Sequence, residues 1–324
     1  MNTSNTESED YNLRVDSVLG AYRFSHEAMA TIFEVLIIHT DGVYAEQAAI
    51  AAFDELDKLE SELSRFIENS DVSQINNLGA NQSLRVGPAT FECLEICSRL
   101  HAETEGAFDV TVGALYDCLI DSEKKVRKVS ASELETARKR TGMELVKLDE
   151  DAYTVEVSGD GVQIDFGGFG KGYAVDKMAE LLVDWGIETA LIHGGFSSVL
   201  ALEGPTGMTG WPVTLSNPLN RRENLEVIHL SNQALSSSGL EKGQHIIDPR
   251  KGEVMGGKIG TWVCSREAGT CDGLSTAFMV MSKDEIERYC QSHPETAAMV
   301  MFGEGIGDGG AEVLRFGNWE GEKG

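Results

Sequence analysis

The sequence predicts an α+β fold. Runs rich in β-branched and aromatic residues are mixed with amphipathic helical spacings, yet no strict strand–helix–strand alternation runs through the chain. No internal repeat or long linker divides it, because its 6 prolines are few and its 35 glycines are scattered. With 324 residues it can bury a large core in one elaborate domain or two closely packed lobes.

Ala30–Ile38 reads as a strand and is followed by a turn at Asp41-Gly42. A long helix is expected over Tyr44–Phe66, with Ala49, Phe53, Leu56, Leu59 and Leu63 near helical spacing. Pro88 sits at a favourable first helical position, Phe91, Leu94, Cys97 and Leu100 continue that helix, and Gly106 marks its end. Residues 121–145 carry most of the local basic charge and read as an exposed excursion with a short helix at Ser132–Arg140. Strands are expected at Thr154–Val157 and Val162–Phe166, then a glycine-rich turn. A helix over Lys171–Trp185 should bury Ala174, Met178, Leu181 and Leu182 and stop at Gly186. Further strands are expected at Thr189–His193, Val213–Leu215, Glu226–Leu230, His245–Ile247, Ala297–Phe302 and Val313–Phe316. Two more helices fall near Asp272–Met281 and Lys283–Gln291. The polar, acidic residues 1–20 read as a disordered tail, 21–318 as a single domain of two interleaved lobes, and 319–324 as a second tail.

The charge is lopsided: 27 basic against 53 acidic residues give a net −26. That balance excludes a generic nucleic-acid binder, which needs a basic footprint. An anionic ligand on such a protein needs local help from backbone N–H groups, a lysine or a divalent cation. The opening residues carry no basic start followed by an apolar run, no lipid-attachment cysteine follows, and no apolar stretch approaches the roughly 20 residues that span a bilayer. A cytoplasmic location is the expectation. None of the 6 cysteines stands in a CxxC pair, which argues against a zinc ribbon.

Three segments could carry chemistry. In QIDFGGFGKGYAVDKMAELL, residues 163–182, a strand ends at Asp165, four glycines allow close backbone approach, and a helix opens near Lys171. Such a layout presents N–H groups, a helix N-terminus and a full positive charge to an anion. It is not a phosphate-binding P-loop, because Asp165 and Gly172 stand where glycine and Ser/Thr are required, and its glycine spacing is wrong for a dinucleotide-binding Rossmann turn. The bland alternative is a simple strand–helix turn. In TCDGLSTAFMVM, residues 270–281, Asp272 and Thr276 are four apart at the start of a predicted helix, so their oxygens share a face. Oxygen ligands with few carboxylates suit Mg²⁺, which also leans on substrate phosphates; a capping Asp beside a buried Thr is the alternative. In GLEKGQHIIDPRKGEVMGG, residues 239–257, His245 could be a general base or an orienting group, or merely a packed histidine.

In order along the chain, these pieces resemble the FAD:protein FMN transferases, the ApbE-like family, over roughly residues 25–305. The resemblance is carried by Met29-Ala30-Thr31, Leu63-Ser64-Arg65-Phe66 with Ser70-Asp71, Gly106 through Gly113, and Asp165 through Asp176. It continues through Gly194-Gly195, Ser238-Gly239, His245 through Arg250, and Asp272 through Ala277. Departures from the family pattern are Ala30 for Gly, Phe66 for Tyr, and Phe196-Ser197-Ser198 after the Gly-Gly pair.

The resemblance implies a two-lobed, T-fold-like architecture of mixed or antiparallel sheets and packed helices, with FAD in the cleft between lobes. It implies that Met29, Phe66, Ala107, Phe108, Asp109, Asp165, Lys171 and Ile246 line the FAD site. Mg²⁺ would be held by the Gly168 carbonyl, Asp272 and Thr276, while His245, Lys171 and Asp272 serve as the catalytic residues. The implied reaction passes the FMN half of FAD to a Ser or Thr of an acceptor flavoprotein and expels AMP. Hydrolysis of FAD to FMN and AMP would use the same residues; FAD binding without catalysis is the other alternative, and the intact Asp272/Thr276 pair and Lys171 argue against it.

Overall fold

The computed structural model describes residues 13–15, 18–240, 246–303 and 311–323. Its strands are β1 (Leu13–Val15), β2 (Tyr22–Ala28), β3 (Thr31–Ile37), β4 (Gln82–Arg85), β5 (Val146–Asp149), β6 (Thr154–Val157), β7 (Ala190–Gly194), β8 (Ser198–Ala201), β9 (Trp211–Asn217), β10 (Asn220–Leu230), β11 (Gln233–Gly239), β12 (Ile247–Asp248), β13 (Glu253–Val254), β14 (Lys258–Ser265), β15 (Ala297–Phe302), β16 (Glu312–Phe316) and β17 (Glu322–Lys323). The helices are α1 (Gly42–Leu63), α2 (Asp71–Asn76), α3 (Pro88–Glu103), α4 (Gly113–Leu119), α5 (Ala131–Arg138), α6 (Gly170–Asp184), α7 (Ala268–Val280) and α8 (Lys283–Ser292).

An eight-stranded antiparallel sheet, in the order β16-β15-β14-β11-β8-β7-β3-β2, forms the centre. Side chains alternate across a strand, so each strand feeds two cores. Phe33, Val35, Ile192, Ala234, Val263 and Val300 face a core shared with α1, α3, α6 and α7. Leu36, Leu191, Leu235, Trp262 and Met299 face the opposite way, onto Trp211, Val213, Leu215 and Leu230 of a second sheet. That sheet has the order β1-β9-β10-β17, and a smaller sheet, β4-β6-β5, completes the helical lobe. The α+β expectation holds.

Several local expectations change. The first helix stops at Leu63, not Phe66, because Ser64 turns extended and its carbonyl accepts the Ser70 hydroxyl at 2.6 Å. Val162–Phe166 is no strand: it makes one isolated bridge, Val112 to Gln163. Its backbone groups go elsewhere, the Ile164 N–H and C=O to the Asn76 amide at 2.6 and 3.0 Å and the Asp165 N–H to the Val110 carbonyl at 2.7 Å. Within the stretch read as an N-terminal tail, Leu13–Val15 pair with β9; within the last six residues, Glu322–Lys323 pair with β10. Among the described residues no helix is long and apolar enough to cross a membrane.

Candidate catalytic site

Two helices build the site. α6 and α7 cross closely enough that a Cβ on Gly172 would stand 2.2 Å from the Ala268 carbonyl oxygen, a distance only glycine permits. At the crossing each helix caps the other. Asp272 of α7 accepts the Gly172 N–H, in the first turn of α6, at 3.1 Å. Asp176 of α6 accepts the Ala268 and Gly269 N–H groups, in the first turn of α7, at 2.7 and 2.8 Å. Neither helix has a local side-chain cap, so these two carboxylates satisfy N–H groups otherwise left orphaned. The positive ends of both helix dipoles favour them.

That crossing brings together Gly168, Lys171, Asp272 and Thr276, residues about a hundred positions apart in sequence. The Lys171 ammonium lies 3.4 Å from Asp272 Oδ2 and 3.3 Å from the Gly167 carbonyl. Gly168 faces Thr276 so closely that a Cβ there would meet Oγ1 at 2.9 Å. Asp272 is only 2% exposed. Its position also differs from the expectation: α7 begins at Ala268, so Asp272 sits in the second turn and caps a neighbouring helix instead of its own.

The loop's N–H groups are less available than its glycines suggest. The Gly167 N–H is taken by Asp165 at 2.7 Å, that of Gly170 by the Phe166 carbonyl at 2.7 Å, and that of Gly172 by Asp272. Positive charge for an anion therefore comes from Lys171 and from any cation held beside it. Among the described residues no three His, Cys, Asp or Glu side chains cluster to hold a metal. A set of one carboxylate, one hydroxyl and one carbonyl, all oxygen, fits a hard cation that draws its other ligands from water and phosphate.

Around this centre the other expected residues take distinct places. Asp165 accepts from Arg65 at 3.0 Å, and Arg65 also reaches Asp117 at 2.7 Å; burial disfavours the guanidinium charge, but the two carboxylates raise its pKa overall. Phe66 projects into solvent, 87% exposed, with the Arg65 guanidinium 5.7 Å from its ring centre. Ala107, Phe108 and Asp109 are buried between α3 and α4, and Phe108 packs near Gly273 of α7. Asp109 is already engaged by the Thr111 N–H and hydroxyl at 2.7 and 2.6 Å and by His101 at 3.3 Å, a bond that raises the His101 pKa. Met29 occupies the β2–β3 turn and donates its N–H to Glu60 of α1 at 2.8 Å; Ile246 is buried. His245 lies outside the described residues.

Three contributors were quoted in the sequence without a role: Arg65, Asp176 and Ser238. The Ser238 hydroxyl lies 3.3 Å from Thr276 Oγ1 and 2.8 Å from the Ser275 hydroxyl, extending a hydroxyl chain from β11 to the site. Only the fold reveals these links, because each partner lies 37 to 100 residues away.

The ApbE family model matches residues 29–301. A FAD:protein FMN transferase of Vibrio cholerae is 25% identical over 274 residues, spanning 80% of this chain and 81% of its own. That of Klebsiella pneumoniae is 24% identical over 300 residues, spanning 86% and 84%. Among solved structures, the flavin transferase ApbE from Vibrio cholerae superposes with a TM-score of 0.80 at 23% identity, covering 91% of this chain and 97% of its own. The apbe protein from Thermotoga maritima does so with a TM-score of 0.80 at 25% identity, covering 91% and 97%. Since the family match takes in most of the sequence, this chain belongs to the ApbE family.

Proposed function

We propose that this protein transfers the FMN moiety of FAD to a Ser or Thr hydroxyl of an acceptor flavoprotein, releasing AMP, with Mg²⁺ held by the Gly168 carbonyl, Asp272 and Thr276. The observation that carries this reading is the meeting of Lys171, Asp272, Thr276 and Gly168 at the α6–α7 crossing, in a chain whose relatives are named FAD:protein FMN transferases.

In the reaction the acceptor oxygen attacks the FMN-side phosphorus. A new phosphorus–oxygen bond forms, the anhydride bond breaks, and AMP leaves with the electron pair. Mg²⁺, when bound, neutralises charge on the phosphate oxygens. Lys171 places a second positive charge beside the same carboxylate, where it stabilises charge developing in the transition state. Asp272 keeps both groups in place while anchoring α6. Ser238 orients the Thr276 hydroxyl. The exposed Phe66 ring offers a face for the flavin, and Arg65 fixes Asp165 at the rim. His245 or a nearby carboxylate takes the proton of the incoming hydroxyl.

The test incubates the protein with FAD, Mg²⁺ and a candidate acceptor, followed by mass spectrometry and nucleotide chromatography. Transfer predicts AMP release matched by an FMN adduct on a Ser or Thr. FMN and AMP in equal amounts with no adduct on any acceptor make the protein a pyrophosphatase; FAD left intact would overturn catalysis altogether.

A further inference from the structure

The flavin-transfer reading leaves open where the acceptor protein binds. A groove of about 500 Å³ opens between α4 and α5. Side-chain bonds tie its wall to Asp165, one of the residues expected at the FAD site. Asp117 in its wall holds Arg65, which in turn holds Asp165, and Gln163 at its far side lies two residues before Asp165.

One bank of the groove runs against the charge of the whole protein, while its lining balances Arg127 and Arg140 against Asp117 and Glu133. Residues 124–140, which form one bank, carry seven of the 27 basic residues and only two of the 53 acidic ones. Two of the cations, Arg127 and Arg140, line the groove itself. Arg140 has no ion pair among the described residues, and Arg127 gives one N–H to the Asp117 carbonyl at 3.1 Å. The groove's carboxylates are held in place: Asp117 accepts from Arg65, and Glu133 accepts the N–H and hydroxyl of Ser130 at 2.8 and 2.7 Å, with Arg127 near enough to favour its charge. An acidic partner meets the N–H donors left over on Arg127 and Arg140, on a bank of net positive charge, and repulsion over most of the remaining surface.

We infer that this groove docks the acceptor as an extended segment bearing acidic side chains beside its target hydroxyl. The proposal rests on the flavin-transfer reading. Arg127 and Arg140 pair with the acidic side chains, and the segment's hydroxyl is carried past Asp117 and Arg65 toward the FAD phosphates.

The groove contains its own reporter. Cys118 lines it and is the one cysteine of six that is not buried, so a maleimide reads its accessibility. The experiment uses the full chain and two fluorescein-labelled peptides, each with a central Thr, one flanked by Asp and the other by Asn. At low salt the Asp peptide should bind roughly tenfold more tightly, as two charge-assisted pairs allow. It should also slow Cys118 alkylation. The preference should vanish in the Arg127→Gln/Arg140→Gln variant and return in Arg127→Lys/Arg140→Lys, with FAD affinity unchanged throughout. Equal binding of both peptides, or alkylation of Cys118 at its free rate, overturns the proposal. So does FAD itself protecting Cys118 and binding more weakly to the Gln variant, because the groove then belongs to the dinucleotide. FAD cleavage is measured on the same samples without peptide. Its absence in the unaltered protein sinks the flavin-transfer reading, while peptide binding and Cys118 protection are still read separately.

Discussion

Asp272 has two tasks, capping α6 through Gly172 and presenting a buried carboxylate beside Lys171 and Thr276. The substitution that separates them is Asp272→Asn, which keeps an oxygen for the Gly172 N–H and loses the charge. It should melt close to the unaltered protein while Mg²⁺-dependent FAD cleavage falls on the order of 100-fold or more; unchanged turnover would remove the metal assignment. Glu34 supports a separate prediction. Burial alone would raise its carboxyl, but His193 at 2.7 Å and Arg23 overcome that and hold it at about 2. A carboxyl lowered on folding contributes stability that is complete above its unfolded value near 4.5 and is lost as pH falls toward 2. Glu34→Gln should therefore flatten part of the acid-unfolding curve in that window; a curve of unchanged slope would contradict it. Ala30 stands at φ 56 in the two-residue β2–β3 turn, where the family pattern has glycine. Ala30→Gly should raise stability by about 0.5–1 kcal/mol, the left-handed strain relieved less the glycine's entropy, and a denaturant midpoint that falls would contradict that.

At the scale of elements, the α6–α7 crossing decides whether the site exists. Gly172→Ala drives a methyl into the Ala268 carbonyl. It should cost about 1–3 kcal/mol and reduce FAD cleavage with it, read by denaturant unfolding and nucleotide chromatography; a variant as stable and active as its parent would show that the helices need not touch. The helical spacing of Ala174, Met178 and Leu182 makes α6 legible, and all three are buried, while Leu181, expected with them, is half-buried at the edge of the core. The start of α7 was not legible, because its cap is Asp176, 92 residues away, while Glu267 at the local cap position accepts the Thr270 hydroxyl at 2.9 Å and caps no backbone N–H. Val162–Phe166 carries strand-like side chains, yet Asn76 takes the Ile164 backbone groups that a ladder would use. Ser-rich β11 lacks the β-branched and aromatic residues that mark a strand in the sequence, and it is a central strand because β8 and β14 pair on either side.

Across the whole molecule, the motifs in Asp165–Asp176 and Asp272–Ala277 revealed the family and four converging groups, because short-range chemistry survives in short segments. They could not reveal the parts played by Arg65 and Ser238, which arise from contacts distant in sequence; the basic excursion over 121–145 was legible, but not the groove it forms with α4. The net charge of −26 also acts at this scale. Self-repulsion should make the melting temperature climb with NaCl as the charges are screened; a temperature that falls with salt would show that attractive ion pairs dominate instead.

The central claim is that Gly168, Asp272 and Thr276 grip one cation against the phosphates of FAD. A crystal grown with FAD and Mn²⁺, measured at the manganese absorption edge, tests it most directly. A single strong anomalous peak is expected about 2.1–2.2 Å from the Gly168 carbonyl, an Asp272 oxygen and Thr276 Oγ1, shared with phosphate oxygens. A peak elsewhere, or FAD bound with its phosphates away from Lys171, would contradict it.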